Sequence, residues 1–161
     1  MTEPASVLWI AHEALLTLKN CAVAAYPEEC CGLLVGYNQE AGLAEGAKGK
    51  RISRVHPTKN CAAAPRCAFE IDPAAHIALL RNLREGVGGG HAEQMLGHYH
   101  SHPDSAPVPS ARDLAQAMEF DALWVIIGAG PAAADDIRAW LTVREPGDSI
   151  GFRPLRIVLS D

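Results

Sequence analysis

Three side chains in one short stretch set the chemistry to expect. His100 and His102 stand two apart in His100-Ser101-His102-Pro103, and after a seven-residue gap come Ser110 and then Asp113. On a strand, residues two apart face the same side, so the two imidazoles converge on one ion while Ser101 points away. Asp113 arrives from the next element as a third ligand. Two neutral imidazoles and one carboxylate suit Zn²⁺, and three protein ligands leave a fourth tetrahedral position for water. That is the arrangement of a catalytic rather than a structural zinc. Hydrolysis is the chemistry it supports.

Such a site requires a strand that ends at the histidines and a helix that starts near Ser110. Residues 95–101 read as the strand, Pro103 to Pro109 as a bend, and residues 110–120 as the helix. Upstream, Leu8, Ala11, Leu15, Leu18 and Ala22 fall at helical spacing, which predicts an amphipathic helix over 8–25 ending near Tyr26-Pro27. Residues 31–37 read as a buried strand, 38–49 as a loose connection and 51–56 as a returning strand. Cys61 to Arg66 forms a loop before a short extended stretch over 68–71. Asp72 is a natural N-cap with Pro73 in the first turn, so a helix runs from there to about Glu85, where Gly86 ends it. Strands follow over 123–128, 137–143 and 152–159. Gly88-Gly89-Gly90 follows a helix rather than joining a strand to one, so it is not read as a phosphate loop.

The spacing His-x-His, seven residues, Ser, two residues, Asp resembles the signature of the JAMM (MPN+) metalloproteases. Their upstream partner is a glutamate in Glu-x-Cys-Gly. Pro27-Glu28-Glu29-Cys30-Cys31-Gly32 supplies it, because the Cys31-Gly32 frame selects Glu29 and leaves Glu28 as its neighbour. The stretches Phe69-Glu70-Ile71-Asp72-Pro73 and Leu96-Gly97-His98-Tyr99-His100 resemble the compact bacterial branch. The resemblance spans roughly residues 7 to 145.

That resemblance implies one MPN-like (cytidine-deaminase-like) α/β domain over residues 1–161. Its sheet is curved, mixed and mostly antiparallel, with the first two helices on its flanks. One Zn²⁺ per chain is implied, held by His100, His102 and Asp113, with Glu29 as general base and then acid. Ser110 would hydrogen-bond the oxyanion of the tetrahedral intermediate. The implied substrate is a ubiquitin-like protein cleaved after its C-terminal Gly-Gly, a sulfur carrier in the compact bacterial members. An extended tail of that kind would reach the rim of a sheet by strand addition. Alternatives are a deubiquitinase-like isopeptidase and a non-catalytic MPN scaffold.

Other readings of the same residues stand beside these. Ser110-Ala111-Arg112-Asp113 fits a helix capping box, a supporting role for Ser110 that leaves Asp113 free to act as a ligand. His98 shares the strand face of His100 and His102 and would line the site without being required as a ligand. A cysteine hydrolase using Cys30 or Cys31 would lack a defined third member. A zinc deaminase would need His-x-Glu followed by Pro-Cys-x-x-Cys, and the chain has no Pro-Cys-x-x-Cys.

Composition narrows the partners. A chain of 161 residues with 48% hydrophobic and 20% charged residues fits one globular domain with a substantial core. Its net charge of −5 argues against a nucleic-acid or anionic-membrane surface and for a protein or small substrate. Met1-Thr2-Glu3-Pro4 has no basic leader and no apolar run reaches a membrane span, so a cytoplasmic protein is expected. Five cysteines, Cys21, Cys30, Cys31, Cys61 and Cys67, form no disulfide framework, although Cys61 and Cys67 are spaced for a bridge.

Overall fold

The structure is a computed structural model and describes residues 6–40, 49–86 and 92–161. The connection expected over 38–49 lies largely outside the described residues, as do the glycines at 88–90 and the first four residues. The described elements are β1 (Val7–Ala11), α1 (His12–Ala25), β2 (Cys31–Gln39), β3 (Gly49–Thr58), α2 (Pro73–Arg84), β4 (Gln94–Pro103), α3 (Ala111–Gln116), β5 (Leu123–Ala129), β6 (Asp136–Arg144) and β7 (Ile150–Ser160). No described helix is long and apolar enough to cross a membrane.

The seven strands run in the order β1-β3-β2-β4-β5-β6-β7, and β1 pairs with β7 to close the sheet into a barrel. Four of the seven pairings are antiparallel. The other three are parallel. The mixed, mostly antiparallel sheet expected from the sequence is therefore present, but it closes on itself. Among the described strands each has two neighbours, so a substrate finds no wholly unpaired edge strand to extend.

The closing strand is where the sequence reading fails. The helix expected over 8–25 begins later, because residues 8–11 belong to β1 instead. Val7, Leu8 and Ile10 are buried, and Leu8 sits between Lys50 of β3 and Ile157 of β7. Leu8 and Ala11 match helical spacing by coincidence, and a short apolar run rich in large side chains takes the state that its distant partners offer. The helix proper buries Leu18 and Ala22, one turn apart, and stops at Tyr26 before Pro27.

Alternation along the strands divides the interior in two. Leu34 of β2, Tyr99 of β4, and Val125 and Ile127 of β5 join Leu18 and Ala22 on the α1 side. Cys31, Trp124 and Phe69 cluster elsewhere, and Leu33 and Val35 meet Leu79 of α2. α2 has the caps foreseen: Asp72 accepts from the Ala74 N–H at 3.0 Å, and Gly86 at φ +70° follows its last turn.

β4 is the central strand for function. It pairs antiparallel with β2, Cys31 opposite His100, and parallel with β5. Parallel neighbours need a crossover, and the β4–β5 crossover carries α3 past the C-terminal end of β4. Gly97 makes this pairing close, since a Cβ there would lie 1.8 Å from the Leu123 carbonyl oxygen. α3 is shorter than the 110–120 expected, ending at Gln116 with Ala117 already extended. Thr142 explains the early stop. It takes the N–H groups of Asp121 and Ala122 through its carbonyl and hydroxyl, drawing the chain out of helix and into β5.

Candidate metal centre

His100 and His102 lie two residues apart at the C-terminal end of β4, as the strand period requires. Their Nε2 atoms are 3.0 Å apart. The Asp113 carboxylate meets both, Oδ1 at 3.1 Å from His100 Nε2 and Oδ2 at 3.2 Å from His102 Nε2. All three residues are buried and offer one ligand atom each within a common 4.8 Å. Nitrogens 2.0–2.1 Å from a tetrahedral ion stand about 3.3 Å apart, so the edges seen here are close to those of a zinc site. Two buried imidazole nitrogens aimed at one another and at a carboxylate are the donor set of a metal, and the residues fit one.

Supporting contacts fix each ligand. The Nδ1 of His102 lies 3.0 Å from the Ala106 carbonyl, which only accepts, so Nδ1 carries the proton and Nε2 keeps its lone pair for a cation. His100 is fully buried and stacks on Phe69 at 4.2 Å, with Trp124 edge-on at 5.9 Å. Asp113 is the third residue of α3, held by a full capping box. Ser110 Oγ accepts from the Asp113 N–H at 3.0 Å, and the Ser110 N–H donates to Asp113 Oδ2 at 2.8 Å. The capping box is present, and it is compatible with Asp113 facing the two imidazoles. The Ser110 hydroxyl serves there as an acceptor, so its own proton stays available.

Charge in the cluster is shared unevenly. Burial opposes ionisation of Asp113, but the His100 and His102 rings against it outweigh burial and hold the carboxyl well below its ordinary range. Burial lowers the His100 pKa against the pull of Asp113. At His102 burial acts in the same direction, yet Asp113 and the Ala106 carbonyl prevail and its pKa is raised.

Glu29 lies just before β2, which the Cys31–His100 register sets beside the end of β4. Its side chain shares a cleft wall with His102, Ser110, Arg66 and Cys67. It is 8% exposed, while Glu28 faces solvent, so the two adjacent acids have opposite surroundings. Burial pushes the Glu29 carboxyl up to about 7, with His102 and Arg112 pulling it down and Asp113 adding to the rise.

Two residues that hold this segment carried no assigned role in the sequence reading beyond the orientation of Ser101. Ser101 does point away from the ligands: its buried Oγ accepts from the Cys30 N–H at 2.8 Å, and its N–H donates to the Cys30 carbonyl at 3.1 Å. Asn60 bonds the Glu29 carbonyl through Nδ2 at 3.0 Å. The signal for Asn60 was present, since asparagine in a loop habitually bonds nearby backbone.

His98 stays outside the ligand group. Its ring packs against Trp124 at 4.1 Å and Phe69 at 5.3 Å, and burial with His100 nearby lowers its pKa to about 3, which keeps it neutral. The five cysteines are free thiols, so the Cys61–Cys67 bridge is not formed. Burial pushes the Cys30 thiol up to about 12 and raises that of Cys31, the opposite of an activated nucleophile.

Comparison with known proteins agrees with this geometry. Residues 12–143 match the family described as prokaryotic homologs of the JAB domain. Desampylase of Haloferax volcanii is 37% identical over 91 residues, 56% of this chain and 55% of its own length. The match thus spans about half of that relative. A probable TtuB-protein conjugate cleaving protease of Thermus thermophilus is 32% identical over 115 residues, 71% of this chain and 70% of its own. A solution structure of a Desulfitobacterium hafniense protein superposes with a TM-score of 0.71 at 23% identity. It covers 96% of this chain and 94% of that one, a likeness of fold.

Proposed function

Because the chain belongs to the prokaryotic homologs of the JAB domain, we propose that it is a zinc-dependent peptidase or isopeptidase acting on a ubiquitin-like sulfur-carrier protein. It hydrolyses the amide bond after the carrier's C-terminal Gly-Gly, in the cytoplasm, with one zinc per chain. The observation that carries the reading is the convergence of His100, His102 and Asp113 beside a cleft walled by Glu29 and Ser110. The Thermus thermophilus relative, named for cleaving protein conjugates, supports a protein substrate.

Zinc bound by the three ligands supplies Lewis acidity to the scissile carbonyl and to the attacking water. Glu29 is the proton carrier. Its buried carboxyl, on the cleft wall beside His102 and Ser110, is placed to take a proton from water and return it to the leaving amine. Ser110 turns its free O–H toward the oxyanion of the substrate while its Oγ continues to cap α3. The closed barrel changes how the tail is held. With no free edge among the described strands, the extended Gly-Gly segment lies in the cleft between the Arg66 loop and the turn after β4. Glycine suits a narrow cleft because it brings backbone close without a Cβ.

The test is mass spectrometry of a ubiquitin-like carrier bearing a C-terminal extension, before and after incubation. Cleavage after Gly-Gly is expected, lost on chelation, restored by zinc and absent with Glu29→Gln. Changing the terminal glycine to valine should remove most of it. Equal cleavage of both tails, or cleavage that survives chelation, would overturn the proposal.

A further inference from the structure

Asn60 stands in the loop between β3 and α2, at an isolated bridge to Ile71. Its carboxamide makes four hydrogen bonds, every one to backbone. Nδ2 donates to the carbonyls of Glu29 and Ala68, and Oδ1 accepts from the N–H groups of Ala62 and Glu70, each at 3.0 Å. Two donors and two lone pairs are all that a carboxamide has. Asn60 is fully used.

Glu29 depends on the same loop at both of its backbone groups. Its carbonyl takes Asn60 Nδ2, and its N–H donates to the Pro65 carbonyl at 2.7 Å. β2 begins two residues later and its pairing with β4 starts at Cys31, so the barrel ladder does not fix Glu29 directly. Cys30 is tied to β4 through Ser101, which leaves Glu29 as the first residue beyond that tie. The loop that grips it also carries Arg66 and Cys67 to the cleft wall.

We infer that Asn60 is a positioning residue, which holds the Glu29 backbone so that its carboxylate enters the cleft at the depth and angle proton transfer requires. The inference rests on the reading of Glu29 as proton carrier. Asn60 acts through Glu29, because its carboxamide is spent on backbone and leaves nothing for a substrate. A side chain that sets a reacting group's position governs turnover more than binding, and a shift of about 1 Å costs on the order of 100-fold.

Asn60→Asp tests this with little change of shape. It keeps the acceptor for Ala62 and Glu70 but sets a carboxylate oxygen against the carbonyls of Glu29 and Ala68. The assay uses the zinc-loaded full chain and a carrier with a short peptide after Gly-Gly, with metal content and melting temperature recorded for every variant. Expected are a 10- to 100-fold loss of kcat, KM within threefold of wild type and one zinc per chain. A second variant, Asn60→Ser, is too short to reach both carbonyls and should lose kcat in the same way. Combining Asn60→Asp with Glu29→Gln should cost less than threefold beyond Glu29→Gln alone, because the path from Asn60 to the reaction runs through Glu29.

Three results would overturn the inference: kcat within threefold of wild type in both Asn60 variants despite lowered melting temperatures, activity lost only in step with zinc, or penalties that multiply in the double variant. Wild-type turnover in Glu29→Gln would instead remove the reading of Glu29 itself, whatever the Asn60 variants do.

Discussion

Replacing Glu29 by glutamine should stabilise the metal-free protein at neutral pH and leave it unchanged in acid. Burial raises the Glu29 pKa from 4.5 to about 7. The folded chain therefore holds a proton that the unfolded chain has released between those values, and stability falls as pH rises through the interval. Below pH 4.5 both states are protonated and nothing is lost. Above pH 7 the full cost is present, and at 1.36 kcal/mol per pH unit it comes to about 3 kcal/mol. Glutamine has the same shape and carries no such cost. Urea melts of chelated wild type and Glu29→Gln at pH 5, 6, 7 and 8 should show the variant's advantage growing from about 1 kcal/mol at pH 5 to about 3 kcal/mol near pH 7 and then levelling. Zinc should shrink that advantage, since a nearby cation favours the carboxylate. A difference that stays flat over this range, or that grows as pH falls, would show that the folded metal-free protein already holds Glu29 ionised.

Other consequences follow from particular contacts. Ser110→Ala removes the α3 cap acceptor and should cost about 1 kcal/mol in denaturant melts. The same change should lower kcat by about 10²–10³ at nearly constant KM, and a loss under threefold would remove Ser110 from the mechanism. Gly97→Ala drives a Cβ onto the Leu123 carbonyl oxygen, separates β4 from β5, and should destabilise the fold by about 3 kcal/mol in thermal or urea unfolding. Iodoacetamide should label the exposed Cys61 and Cys67 and spare the buried Cys30 and Cys31 in the native protein, as read by peptide mapping. Native labelling of Cys30 would mean that the tie to Ser101 opens readily.

The convergence of His100, His102 and Asp113 was legible because it is local. The strand period of two sets His100 beside His102, and the capping spacing sets Asp113 at a helix start, so short-range rules supply nearly all of that geometry. Asp72 and Gly86 marked the ends of α2 by equally local chemistry. Long-range partners decided what the sequence hid. β1 is a strand because β3 and β7, more than 40 and more than 140 residues away in the register, offer it pairings on both sides. α3 stops early because of Thr142, and Glu29 is held by a loop about 30 residues on, which the β2–β3 pairing returns to it. Periodicity carries no information about such partners.

Asp113 belongs to two structures at once, the first turn of α3 and the cluster that would hold an ion. A helix of six residues gains too few propagation steps to repay its own nucleation, so it persists through what its first turn is attached to. With the carboxylate that closes that turn also facing two imidazoles, ordering of the turn and capture of a cation by the proposed site would be one thermodynamic event. Part of the apparent metal affinity would then be the folding free energy of residues 110–117, and protons released by the three side chains would link both to pH. Amide exchange should report this coupling. Chelation is expected to speed exchange at Asp113 and Leu114, whose N–H groups bond to Ser110. α2 is capped by an aspartate outside the cluster and keeps its protection.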